Sequence, residues 1–351
     1  MVADPRTPTT GEISGEPDGT RAGSPILAAD ELSIAFPSAD GPVEVVRSAT
    51  FELRRGEALG LVGESGSGKT VTSLAMMGLI GAVGGRVTGG RITFDGNDVT
   101  SLSESKWRAI RGDRISMIFQ QPMRALNPAF TVGDQVAESV RRHRGASRKE
   151  AWARAVELFE RVRIPQPDKR AHDYPHQFSG GMCQRVLIAM ALACEPEVLI
   201  ADEPTTALDV TVQARILDLL REIIAGTDVS VLYITHDLGV VAQICDRVSV
   251  MYAGEVVETG PLDHVFNLPR HPYTEGLIGA LPRSATGGRF SAIPGQVPPP
   301  QSFPPGCRFH PRCPYAEQGR CTTGQPALIQ VGARATRCVR FDELELRGVS
   351  S

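Results

Sequence analysis

The first residues able to do chemistry are a lysine and a threonine that end a glycine-spaced octapeptide, Gly63-Glu64-Ser65-Gly66-Ser67-Gly68-Lys69-Thr70. It fits G-x-x-x-x-G-K-[ST] without a mismatch, and that pattern suits phosphate. Glycines let backbone N–H groups converge on phosphate oxygens, and a following helix adds the positive end of its dipole. Lys69 is expected to reach the β- and γ-phosphates, with the Thr70 hydroxyl on Mg2+. A second group, Asp202-Glu203, closes the apolar run Val198 to Ala201. A carboxylate at that point can support the Mg2+ shell. Glu203, one residue on, points differently and can activate the attacking water as general base. His236 follows the apolar run Val229 to Ile234, where a side chain can overhang a γ-phosphate. Ser179 with Gly180 and Gly181, at a helix start, can close over a γ-phosphate through backbone amides and the helix dipole.

The elements that must position these residues are legible around them. Ala58 to Val62 reads as the strand before the phosphate loop and Val71 to Leu79 as the helix after it. Leu32 to Phe36 and Ala49 to Leu53 alternate apolar and polar residues, the period of half-buried strands, and Arg91 to Gly96 reads as a strand ending in a turn. Residues 123–178 change character, with helical stretches such as Lys149 to Val162 and no convincing strand. Strand–helix alternation resumes with Val198–Ala201, Arg215–Ile224 and Val229–Ile234, as a parallel sheet expects.

Taken in order, the motifs are Ile118-Phe119-Gln120-Gln121-Pro122, Phe178-Ser179-Gly180-Gly181-Met182-Cys183-Gln184-Arg185, Val198 to Pro204, Ala207-Leu208-Asp209, and Tyr233-Ile234-Thr235-His236-Asp237. With that ordered set the chain resembles the nucleotide-binding subunit of an ABC transporter, over residues 27 to 340. The resemblance implies an α/β P-loop ATPase core, a mostly parallel sheet with helices. To this it adds an antiparallel β subdomain, a helical insert and a small cysteine-bearing C-terminal tail. It implies ATP and Mg2+ as ligands, and Gln120 touching Mg2+ or the water and passing the nucleotide state to a transmembrane partner. It makes His236 the switch histidine and sets Phe36, 27 positions before Gly63, to stack on adenine. It assigns Ser179-Gly180-Gly181 to the ATP of the opposite subunit, so that each nucleotide lies between two chains. The family's usual form is Leu-Ser-Gly-Gly-Gln; Phe178 and Met182 replace its ends here, and Met is common there in the peptide-uptake branch. Cys183 stands where that branch usually has a basic residue, a departure that bears on affinity for the partner's ATP.

Further segments resemble the peptide and nickel importer branch: Phe119 to Pro128, Tyr174 to Phe178, His271-Pro272-Tyr273-Thr274, Ile293 to Pro298, and Pro305-Gly306-Cys307-Arg308-Phe309-His310-Pro311-Arg312-Cys313-Pro314. The branch implies an ATPase that drives import of dipeptides or oligopeptides. Its partners would be two membrane permeases, a second ATP-binding subunit and an extracytoplasmic peptide-binding protein. Nickel or another small solute is the nearer alternative. A soluble ABC ATPase acting on nucleic acid or ribosomes is the alternative of another class. That rival favours two ATPase halves or a basic surface, and this chain shows neither.

At 351 residues the chain holds one large domain with additions, or two domains. Hydrophobic residues make up 41%, enough for a core, and a net charge of −3 gives no basic field to recruit nucleic acid. No run approaches the ~18 apolar residues that span a bilayer, and residues 1–25 lack a signal peptide's apolar stretch. The chain is therefore expected at the cytoplasmic face of the membrane, held by partners. Residues 1–25 read as a disordered leader, 26–283 as the nucleotide-binding domain with 123–178 as its helical subdomain, and 284–351 as a Pro-rich connector and cysteine tail.

Of seven cysteines, Cys183, Cys194 and Cys245 read as buried small apolar residues. Cys307, Cys313, Cys321 and Cys338 are spaced C-x5-C-x7-C-x16-C. A cytosolic chain favours metal over disulfides, and four thiolates suit Zn2+ or an iron–sulfur cluster. The spacing lacks the short knuckle usual for structural zinc, and the peptide-importer tail is associated with a [4Fe–4S] centre; zinc and free thiols stay open. The tail has few large apolar side chains, so a metal is expected to supply the free energy that orders it.

Overall fold

The computed structural model describes residues 23–206, 208–281 and 293–349. Most of the leader, Ala207 and the boundary at 283/284 therefore lie outside the described residues. Pro25, assigned to the leader from sequence, instead opens the first strand, Pro25–Phe36.

Two sheets organise the chain. The larger has eight strands, and its central part is parallel: Ile115–Ile118, Val198–Asp202, Ser230–Thr235, Ala58–Val62 and Arg247–Tyr252 lie side by side in that order. Four of these strands are buried at every residue, as a parallel sheet covered on both faces requires. Alternate side chains leave by opposite faces. Leu59, Leu61, Val198, Ile200, Leu232 and Ile234 enter one core with the antiparallel sheet. Ala58, Val62, Leu199, Ala201, Val231 and Tyr233 enter the other with the helices. The central strands thus belong to both cores and fix the two lobes to one frame.

The antiparallel sheet pairs Pro25–Phe36 with Val43–Arg54 and Arg86–Phe94. Between Gln121 and Pro196 the described residues form helices and turns only. Val132–Arg144 starts on Thr131, whose side chain accepts from the Asp134 N–H, and Arg148–Arg161 starts on a Ser147–Glu150 capping box. Those caps satisfy N–H groups that the first helical turn leaves without partners.

The tail departs from expectation. Its strand Arg334–Thr336 pairs antiparallel with Glu255–Pro261, and Ile329–Val331 pairs antiparallel with Arg334–Thr336 at the edge of the large sheet. Phe309 inserts beside Tyr252 and Tyr273, with ring centroids 5.1 and 5.3 Å away. Buried Arg308 stacks over Phe303 and donates to the Ala253 carbonyl. The tail does bury a core, one borrowed from the ATPase lobe through Phe309 and Arg308. A metal is not its sole source of order.

Candidate nucleotide site

The parallel strands place the chemistry by ending together. Val62 leads into Gly63, Ile118 into Gln120, Asp202 into Glu203 and Thr235 into His236, all at the carboxyl ends of adjacent strands. That edge is where open α/β sheets bind ligands. A cleft of about 1040 Å3 lies there, lined by Glu64, Lys69, Thr70, Gln120, Glu203 and His236 among others. The loop needs its glycines: a Cβ on Gly63 would come within 2.0 Å of the Met251 carbonyl oxygen, and Gly68 sits at φ +100°.

Lys69 is 5% exposed and folds back over the loop. Its Nζ donates to the carbonyls of Gly63 (2.7 Å) and Glu64 (3.0 Å). Burial pushes its ammonium below the ordinary lysine value, against the pull of Glu203, Asp202 and Glu64. Asp202 is 2% exposed, and the hydroxyls of Thr70 and Ser73 each lie 3.4 Å from its carboxylate. Burial pushes its carboxyl up to about 6; the two hydroxyls and Lys69 pull the other way. Thr70 with Asp202 is a set of hard oxygen donors, which fits Mg2+. Ser73 carries no motif signal and became visible only in three dimensions.

Glu203 is the hub. It holds φ +45°, a left-handed conformation uncommon for glutamate, which turns its side chain away from Asp202 and into the cleft. Gln120 Nε2 donates to its Oε2 at 2.7 Å, Thr206 Oγ1 does so at 3.0 Å, and His236 Nδ1 lies 3.2 Å from its Oε1. Burial would raise its carboxyl, but the hydrogen bonds of His236 and Thr206 and the nearby positive charges outweigh it and hold the carboxyl below the ordinary value.

The chain matches the ABC transporter family over residues 46–206 and the oligopeptide/dipeptide transporter C-terminal region over residues 257–321. It is 53% identical to the dipeptide transport ATP-binding protein DppD of Bacillus subtilis, across 82% of this chain and 87% of that one. The oligopeptide transport ATP-binding protein AppD of the same organism is 46% identical, across 91% and 98%. The chain belongs to the ABC transporter ATP-binding family. Its fold overlays the dimeric ATP-binding cassette MJ0796, solved after hydrolysis with ADP and Pi, at a TM-score of 0.59 and 29% identity, covering 67% of this chain and 98% of that one. ATP and Mg2+ suit this ABC ATPase as ligands, and membrane permeases and a second ATPase subunit follow from the family.

Other expected residues of the ABC ATPase lie elsewhere. Ser179 caps the helix Gly180–Ala191, its side chain accepting from the Met182 N–H, and neither it nor Gly180 or Gly181 lines this chain's own cleft. Cys183 is buried, 3.6 Å from the Pro175 carbonyl. Its thiol points to the Pro175 carbonyl rather than to solvent. Phe36 packs with the antiparallel core and would meet a Cβ on Gly85 at 2.8 Å; the cleft is lined by Val45 instead. The Pro-rich connector contributes Gly295, Gln296, Val297 and Pro300 to the cleft.

Cys307, Cys313, Cys321 and Cys338 line one small cavity with His310 and Tyr315. Burial pushes the Cys307 thiol up to about 12 and the Cys313 thiol up to about 11, and raises Cys338 as well. Among the described residues no group of three or more His, Cys, Asp or Glu stands close enough to hold a single metal ion. Among those residues, too, no helix is long and apolar enough to cross a membrane.

Proposed function

We propose that this chain energises import of dipeptides or oligopeptides, working as a peripheral ATPase at the cytoplasmic face of the inner membrane. Its partners are two permeases, a second ATP-binding subunit and an extracytoplasmic peptide-binding protein. The observation that carries the substrate class is the oligopeptide/dipeptide C-terminal region, joined to close identity with dipeptide and oligopeptide transport proteins.

Lys69 and the amides of Gly63 to Thr70 bind the β- and γ-phosphates. Thr70, Asp202 and Gln120 would hold Mg2+, which neutralises charge on those phosphates. Glu203 orients the attacking water and takes its proton, kept ionised by its hydrogen bonds. His236 and Gln120 both touch Glu203, so each senses whether the γ-phosphate is present. Ser179, Gly180 and Gly181 act on the ATP of the facing subunit. Water attacks in line, and catalysis is positioning with charge stabilisation. Phe119, Met123 and Phe130, exposed at 40%, 52% and 55%, are the apolar side chains proposed to meet a permease loop.

The cysteine cavity is proposed to hold a [4Fe–4S] cluster. A lone tetrahedral zinc with bonds of about 2.3 Å draws its sulfurs to about 3.8 Å from one another. What supports the proposal is that four thiols line one cavity, the ligand set such a cluster takes.

The test is growth on defined dipeptides and oligopeptides in cells lacking their own peptide uptake, supplied with this chain and its partners. Wild-type protein restores growth, and Glu203→Gln, which loses a general base worth ~10²–10⁴-fold in rate, does not. Restored nickel uptake without peptide growth would move the substrate to the metal.

A further inference from the structure

Arg312 belongs to the cysteine tail, yet its guanidinium ends at the phosphate loop. Its side chain is 5% exposed. Nη1 donates to Glu64 Oε2 at 2.6 Å and Nη2 to Glu64 Oε1 at 3.1 Å, a two-point grip. On its other side Nε donates to the Pro294 carbonyl at 2.8 Å, and Nη2 reaches the Gly295 carbonyl at 3.3 Å. One side chain therefore joins three segments distant in sequence: tail, connector and phosphate loop. Glu64 is held at its backbone too, its N–H donating to Tyr273 Oη at 2.9 Å and its carbonyl accepting from Lys69. Position 64 is a free position in the phosphate-loop pattern, so no motif flagged its side chain.

We propose that Arg312 is a positioning residue for ATP. From the tail it fixes the phosphate loop through Glu64 and presses Gly295, Gln296 and Val297 into the wall of the same cleft. This rests on reading the cleft as the ATP site. The chemistry fits arginine: a planar fork grips a carboxylate at two points and still keeps a donor for a carbonyl, which a lysine ammonium cannot reproduce. A loop held in its binding conformation loses less entropy on binding, so the clamp acts on affinity. It makes no contact with Glu203 or His236 and leaves the chemical step alone. Cys313 is the next residue along the chain, so the state of the cysteine cavity reaches the clamp through one peptide unit.

The test is equilibrium binding of a fluorescent ATP analogue to the full-length chain, with ATPase kinetics in the assembled transporter. Arg312→Met weakens binding about tenfold and raises KM by a similar factor, with kcat within about twofold. Arg312→Lys recovers part of the loss. Glu64→Gln weakens binding similarly, and adding it to Arg312→Met costs little more, because both changes remove one interaction. Unchanged affinity in Arg312→Met overturns the proposal, as do single losses that simply add. If Arg312→Met fails to fold, Glu64→Gln alone decides, since it keeps the arginine and its carbonyl contacts. Lys69→Ala separates the two readings: if it too binds normally, the cleft is not the ATP site.

Discussion

Asp202 and Glu203 are both carboxylates and neighbours in sequence, yet the fold gives them different surroundings. Asp202 ends a buried strand under Thr70 and Ser73, while the left-handed backbone at Glu203 swings the second carboxylate into the cleft. Burial raises the first carboxyl, while hydrogen bonds and nearby positive charges hold the second below the ordinary value, so two adjacent carboxylates meet different surroundings. A third carboxylate makes a testable case away from the site. Glu258 is wholly buried and accepts from the N–H groups of Arg270 (2.8 Å) and His271 (3.0 Å). Burial pushes its carboxyl from 4.5 up to about 7. A carboxyl raised in the folded state binds its proton more tightly folded than unfolded. Its contribution is full below about 4.5 and is lost as pH rises through about 7. The loss amounts to ~3 kcal/mol. His271, held neutral by burial at about 3, runs the opposite way and costs stability as pH falls below about 6.5. Thermal unfolding of wild type and Glu258→Gln at pH 5 and pH 8 isolates the carboxyl. The variant gains relative to wild type at pH 8, and equal differences at both pH values would exclude Glu258.

Among the elements, the helix Gly180–Ala191 has its capped start outside this chain's own cleft. A helix N-terminus with exposed N–H groups suits a phosphate, and the one proposed for it is bound to another chain. A Cβ on Gly181 would meet Val212 at 2.4 Å, so glycine also lets this helix lie against Val210–Ala225. In a mixed dimer, Ser179→Arg in this chain is expected to abolish hydrolysis at the site built on the partner's phosphate loop. Lys69→Ala abolishes it at this chain's own site. Measuring hydrolysis with one site disabled at a time checks this, and both lesions silencing the same nucleotide would refute head-to-tail pairing.

For the whole molecule, the tail is continuous with the ATPase through two strands, an aromatic insertion and the Arg312 clamp. Anaerobically purified protein is expected to contain iron and sulfide in equal amounts, with visible absorption that Cys307→Ser removes. Because the tail borrows core from the ATPase lobe, iron removal is expected to lower the unfolding midpoint without unfolding the sheet, as far-ultraviolet circular dichroism would record. Stoichiometric zinc would replace the cluster, and four reactive thiols without metal would remove it.

The sequence by itself determined the nucleotide chemistry and most of the frame. The phosphate loop, Asp202-Glu203, His236 and the fully apolar strands are local patterns, written in neighbouring residues whose spacing the backbone cannot alter. The helical insert was equally legible, since caps and periodicity are local too. Only the tertiary structure decided what joins distant segments. The Arg312–Glu64 pair spans 248 positions, and no local period records it. Cys183 turned inward, and Phe36 packed with the antiparallel core, because helix and strand packing choose which face is buried. The connector's part in the cleft was not legible because prolines and glycines carry little pattern; in the fold its Pro294 and Gly295 carbonyls face one arginine and its next residues line the cleft.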